Sequence, residues 1–137
     1  MVKRLATTAQ MKELDRTAIE DWKIPSLDLM ERAAEAVAKR VLKIEAQTEG
    51  DRRITIFCGP GNNGGDGIAA ARLLMQSGCK VCIYLVGDRE KMTPDARFME
   101  QKLMTAGGEL KDYEPDSSAQ QKWIESSVCM VDALFGV

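Results

Sequence analysis

Apolar positions along this chain change period near residue 50. Before that point Met11, Leu14, Ala18, Ile19 and Trp22 recur every three or four residues, which is the spacing of one helical face. Thr7 or Thr8 caps this first helix. Ile24-Pro25-Ser26 interrupts the run, and Ser26 is placed to cap a second helix with the stripe Met30, Ala33, Ala34, Val37, Val41 and Ile44. That helix runs out near Thr48-Glu49-Gly50. From there strands and helices alternate. Arg53–Cys58 predicts a strand, and 68–77 a helix stopped by Gly78, a residue that accepts left-handed backbone. The stretch 80–86 is so uniformly apolar that both faces of its strand are expected to be buried. Thr93-Pro94 supplies an N-cap and first helical residue for a helix reaching Ala106, with Gly107 after it. Residues 110–113 form a short strand, 117–127 a helix with Trp123 and Ile124, and Val128-Cys129-Met130-Val131-Asp132-Ala133-Leu134-Phe135 begins a fourth strand.

This alternation predicts one α/β domain spanning residues 1–137. Its form is a Rossmann-like, doubly wound and mainly parallel sheet in a three-layer αβα sandwich, preceded by two N-terminal helices. In a sheet of order 3-2-1-4, strands 1 and 4 are neighbours whose connections diverge, and open sheets bind ligands at that switch point. Two segments should meet there: Gly59-Pro60-Gly61-Asn62-Asn63-Gly64-Gly65-Asp66-Gly67 after strand 1, and Asp132-Ala133-Leu134-Phe135-Gly136 at the end of strand 4.

The first segment is rich in Gly and Asn, residues that tolerate positive φ, and such a loop can turn its N–H groups inward around a ligand. It contains G-x-G-x-x-G through Gly59, Gly61 and Gly64, a weak signal by itself. Two helices precede the first strand, unlike an ordinary dehydrogenase. Asp66 also falls where the following helix is expected to begin, and a carboxylate there would repel a dinucleotide phosphate. The plain reading of Asp66 is a helix cap, which is compatible with a ligand role. No Lys-Ser or Lys-Thr follows the glycines, so a P-loop is excluded.

Composition narrows the chemistry. With 137 residues, 45% hydrophobic and 29% charged, the chain has the make-up of one globular domain. A net charge of −2 without a basic stripe argues against nucleic acid. No stretch approaches the roughly 20 apolar residues of a membrane span. Met1-Val2-Lys3-Arg4-Leu5 lacks the apolar core of a secretory signal, so a cytoplasmic address is expected. Cys58, Cys79, Cys82 and Cys129 fall in or beside strands. Cys79 and Cys82 make a C-x-x-C, but positions three apart on a strand face opposite sides. The chain has no histidine, so acid–base work falls to Asp, Glu, Lys, Cys or Tyr. Asp132 ends an apolar run, where a carboxylate is costly unless paired, hydrogen-bonded or bound to a cation. Asn63, Asp132 and loop carbonyls would make an oxygen donor set suited to a hard cation.

The loop Gly59-Pro60-Gly61-Asn62-Asn63-Gly64-Gly65-Asp66-Gly67 and the later Val131-Asp132-Ala133-Leu134-Phe135-Gly136 resemble the NAD(P)H-hydrate epimerase (YjeF N-terminal) family. So do Met11-Lys12-Glu13-Leu14-Asp15 and Ile24-Pro25-Ser26-Leu27-Asp28-Leu29-Met30-Glu31-Arg32-Ala33. The resemblance implies epimerisation of the C6 hydroxyl of hydrated NADH and NADPH. It implies Asn62, Asn63, Gly64, Gly65, Asp66 and Gly136 as substrate-binding residues, and Asn63 and Asp132 as ligands of a potassium ion. The substrate carbon is a hemiaminal, so a carboxylic acid suffices. Asp66 and Asp132 are the candidates, and the sequence does not choose between them.

Family domains are longer, and many are fused to a dehydratase. The fourth strand is therefore expected to be an exposed apolar edge, in a chain that is truncated at its C-terminus or pairs with a second copy. Little activity is expected of such a chain alone. A non-catalytic ligand-binding or scaffold module is the rival function, and a generic nucleotide-binding domain a third. The intact Asn62-Asn63-Gly64-Gly65-Asp66 run favours the enzyme.

Overall fold

The structure, a computed structural model, describes residues 25–49 and 52–135. The helix predicted across residues 7–22 and the site residue Gly136 lie outside them. Helix α1 is Ser26–Ala46, followed by strand β1 (Arg53–Cys58), helix α2 (Asn62–Gln76) and strand β2 (Lys80–Leu85). A short 3-10 turn, Arg89–Lys91, leads to helix α3 (Pro94–Thr105), strand β3 (Leu110–Asp112), helix α4 (Ser118–Ser126) and strand β4 (Ser127–Ala133).

The strands pair in the order β3-β2-β1-β4, all parallel, as the sequence predicts. The chain steps one way from β1 to β3, then returns across the sheet to β4. With right-handed crossovers, that reversal moves α4 to the face opposite α2 and α3. Side chains agree: Ile56 and Cys58 face Gly67 on α2, whereas the Arg53 guanidinium lies 4.9 Å from the Trp123 ring centroid on α4. Residues an odd number apart on a strand point to opposite faces, so the sheet is sandwiched. Trp123 is fixed further by its indole N–H, which donates to the Ile54 carbonyl at 3.2 Å.

Helix α2 is buried nearly all round, because it lies between the sheet and two other helices. Gly67, Ala71 and Leu74 follow one stripe, with Gly67 against Ile56, Cys58 and Ala133. Gly65 meets Met30 of α1 and Ala96 of α3 on the other side. Helix α1 buries Met30, Ala34, Ala38 and Val41, whereas Ala33, Val37 and Ile44 of the predicted stripe are half-buried. Ser26 does not cap α1. The N-cap is Pro25, and the Ser26 hydroxyl instead donates to Asp95 Oδ2 on α3 at 2.6 Å, a tertiary bond in place of a local one. Glu31 accepts from Arg72 of α2 and from Lys102 of α3, at 3.0 Å for the latter, and so joins three helices.

The glycine stops behave as expected: Gly78 has φ +89° and Gly107 has φ +93°. Thr93 caps α3 by accepting from the Ala96 N–H, with Pro94 inside the first turn. Strand β2 is buried on both faces only at Ile83, Tyr84 and Leu85. Lys80 is exposed, and Val81 and Cys82 are half-buried, because β3 pairs with the C-terminal half alone. Among the described residues strand β4 is the exposed edge that the sequence predicts, and its Met130 is 62% exposed.

Candidate functional site

The nine residues from Gly59 to Gly67 are not a loop. Helix α2 starts at Asn62 with Gly61 as its N-cap, so the turn is only Gly59-Pro60-Gly61. The reason for its glycines also differs from the one read in the sequence. Positive φ occurs at Gly78, Gly87 and Gly107 among the described residues, and at none of the glycines of this segment. What the segment requires is space. A Cβ on Gly59 would overlap the carbonyl oxygen of Leu134, and a Cβ on Gly64 would overlap that of Gly59. A Cβ on Gly65 would sit 2.7 Å from Met30 Sδ, and one on Gly67 2.6 Å from Ala133 Cβ. Gly61 is the exception, with no atom within 4 Å of its Cβ position. The end of β1, the start of α2 and the end of β4 therefore touch through their backbones.

Three main-chain bonds hold this turn at the switch point. Gly59 N–H donates to Ala133 O at 3.0 Å, Val86 N–H to Cys58 O at 2.8 Å, and Thr93 N–H to Pro60 O at 3.0 Å. The first helical bond of α2 runs from Gly65 N–H to Gly61 O at 3.2 Å, so the N–H groups of Asn62, Asn63 and Gly64 lie outside the helical ladder. Asn62 is exposed and Asn63 half-buried, while Gly64 and Gly65 are buried. Asp66 is half-buried in the second turn of α2. It is not a cap, because the helix begins four residues before it. No acidic residue stands in the first turn. The expected repulsion of a phosphate by Asp66 at the helix start therefore does not apply, and the positive end of the helix dipole faces the turn.

Asp132 is exposed, contrary to the buried position its apolar neighbours predict. Among the described residues strand β4 is an edge with a half-open face, so its carboxylate needs no buried partner. Its Oδ1 accepts from the Leu134 N–H at 3.0 Å. In register it stands beside Phe57, while Ala133, on the opposite face, packs on Gly67. The structure thus brings Gly59, Gly64, Ala133 and Leu134 into one contact. The side chains of Asn63 and Asp132 come from the two segments that meet, but no direct bond joins them.

Sequence reasoning missed two features. The sequence marks Thr93 only as a cap, yet its hydroxyl donates to Asn62 Oδ1 at 2.6 Å. Phe57, Tyr84 and Tyr113 cluster at the C-terminal ends of β1 and β2 and just beyond β3, with centroids 5.7 to 6.2 Å apart. The register Phe57↔Tyr84 could have shown the cluster, since equal strand offsets put both residues on one face.

Three of the thiols are held in the protonated form. Burial pushes Cys58 up to about 12, and burial together with the adjacent Glu45 carboxylate does the same to Cys79. Burial also raises Cys129. All four cysteines are free. A groove of about 360 Å³ between α2 and α3 is lined by Arg72, Phe98 and Lys102, among others. Arg72 lies ten residues into the chain from Asn62, roughly 15 Å along the helix, so this groove is not the glycine site. Among the described residues no helix is long and apolar enough to cross a membrane.

Comparison with known proteins spans most of the chain. The family described as YjeF-related protein N-terminus matches residues 26–137. An NAD(P)H-hydrate epimerase of Rhodobacter capsulatus is 37% identical over 97% of this chain and 62% of its own length. A bifunctional NAD(P)H-hydrate repair enzyme, Nnr, of Moorella thermoacetica is 38% identical over 96% of this chain and 25% of its own. The crystal structure of the yeast protein YNL200c superposes with a TM-score of 0.78 at 25% identity, covering 97% of this chain and 57% of that one. The chain therefore spans less than two thirds of each of these relatives.

Proposed function

This chain belongs to the YjeF-related N-terminal family, and from that premise we propose that it binds hydrated NADH and NADPH and epimerises their C6 hydroxyl. The observation that carries the reading is the start of α2. Its N–H groups at Asn62, Asn63 and Gly64 lie outside the helical ladder, at a switch point packed too tightly for any side chain on Gly59 or Gly64. Such a helix end suits the phosphates of a dinucleotide, and the amides of Asn62 and Asn63 add donors and acceptors beside it. The Rhodobacter relative carries the name of this activity, and the Moorella relative is named bifunctional, which fits fusion to a dehydratase in some proteins.

The chemistry asks little of the protein. A carboxylic acid donates its proton to the C6 hydroxyl, the ring nitrogen lone pair expels water, and an iminium ion forms. Water then adds to the other face and returns its proton to the carboxylate. Asp66 and Asp132 are the carboxylates in question. A potassium ion between Asn63 and Asp132 belongs to the same reading. The donors are hard oxygens: the amide of Asn63, the exposed carboxylate of Asp132 and the main-chain carbonyls of Gly59 and Leu134 that crowd the turn. When bound, the cation would supply positive charge beside the anionic substrate. A cytoplasmic address, and pairing of two copies along the half-exposed β4 edge, complete the proposal.

Mixing the chain with the slowly reacting epimer of NADPH hydrate and following its conversion by chiral separation tests the activity. Turnover above the spontaneous rate is expected. No turnover and no binding would overturn the reading. In potassium, affinity for the hydrate should exceed that in a bulky tetraalkylammonium salt, and Asp132→Ala should abolish the difference. Equal affinity in both salts would remove the cation from the proposal.

A further inference from the structure

The bond between Thr93 and Asn62 joins the α3 cap to the first residue of α2, across 31 positions of sequence. The Thr93 oxygen accepts from the Ala96 N–H at 3.2 Å, and its main-chain N–H is bonded to Pro60 O at 3.0 Å. The hydroxyl has one proton to give, and Asn62 Oδ1 takes it at 2.6 Å. With its oxygen committed, the amide of Asn62 keeps its two N–H donors for another partner. Asn62 is exposed, and it stands at the helix end read above as the dinucleotide site.

We infer that Thr93 is a positioning residue: it sets the orientation of the Asn62 amide so that the nitrogen, not the oxygen, is presented to an anionic dinucleotide ligand. This rests on the proposed function for the identity of the ligand, but not for the orientation itself. The same contact ties the site to α3, because one hydroxyl both ends that helix and fixes the amide. An asparagine held this way would favour a phosphate or carbonyl oxygen over a donor group.

Substituting Thr93→Asp separates capping from orientation. Aspartate caps a helix at least as well as threonine, so the melting temperature should hold. An ionised carboxylate has no proton to donate, so the Asn62 amide must turn its NH2 group inward and present its oxygen outward. The Asn62 side-chain amide signals in 15N–1H spectra should move and gain exchange protection in Thr93→Asp, and stay unchanged in Thr93→Ser. Affinity for NADPH hydrate should fall about tenfold in the aspartate variant, the worth of one misplaced hydrogen bond. In an Asn62→Ala background, the same change at Thr93 should do nothing further. A loss that persists there would be plain charge repulsion and would overturn the inference, as would unmoved Asn62 signals or unchanged affinity in Thr93→Asp alone. If the wild-type chain binds no hydrate while the Asn62 signals respond as expected, the substrate assignment falls and the orienting role stands.

Discussion

Gly64→Ala is expected to lower the melting temperature by roughly 10 °C, the equivalent of about 3 kcal/mol in a domain of this size. The sign makes this informative. Gly64 lies within a helix, where alanine is intrinsically better than glycine by about 1 kcal/mol. Without the close approach the substitution would stabilise. The new methyl would instead overlap the Gly59 carbonyl oxygen, which has nowhere to go. Gly59 is bonded through its own N–H to Ala133, the preceding Cys58 carbonyl is held by Val86, and the following Pro60 carbonyl by Thr93. Moving it would pull at β4, β2 and α3 together. Gly61→Ala is the control, since its Cβ position is empty and its φ of −80° is open to any residue. It should change stability by no more than about 1 kcal/mol, the range of N-cap substitutions. Urea unfolding of the two variants decides the matter, and a Gly64→Ala protein more stable than wild type would refute the packing argument.

Glu31→Ala should cost about 3 kcal/mol, the toll of leaving a buried cation without its partner. The Arg72 side chain is 10% exposed and its Nε has no hydrogen-bond partner, so Glu31 carries most of its compensation. Lys102, at 39% exposed, can return to water when Glu31 is gone, but Arg72 cannot. Glu31→Gln keeps an acceptor and should lose less. Replacing the pair together, as Glu31→Leu with Arg72→Met, should recover most of the loss, since apolar groups of similar volume need no compensation. A double variant as unstable as Glu31→Ala would show that α1 is held by something other than charge.

The same residue predicts a pH dependence. Burial raises the Glu31 carboxyl, but the bonds from Lys102 and Arg72 and their charges outweigh it and leave the carboxyl below its ordinary value of 4.5. A group depressed on folding contributes stability that is complete above its unfolded value and lost as pH falls through the folded one. The urea midpoint should therefore drop below pH 4.5, and that part of the drop should be missing in Glu31→Gln.

The sequence alone determined the order of elements from Ser26 onward, the parallel β3-β2-β1-β4 sheet and the segments that meet at its switch point. Those follow from period and chain direction: helical stripes, apolar runs and glycine stops are local, and crossover handedness leaves few topologies. It also determined the family, because that signal lies in residue types. Three things belonged to the tertiary structure. The glycines of the turn are needed for backbone contact rather than for positive φ, since the obstacle to a Cβ on Gly59 is Leu134, far along the chain. Asp66 became a second-turn residue and Ser26 a tertiary donor, because a helix start is set by what its first N–H groups and neighbouring side chains meet in space. Asp132 ends an apolar run and is nevertheless exposed: topology put β4 at an edge, but which side chains of that edge stay open depends on what packs there, which the strand's own sequence does not record.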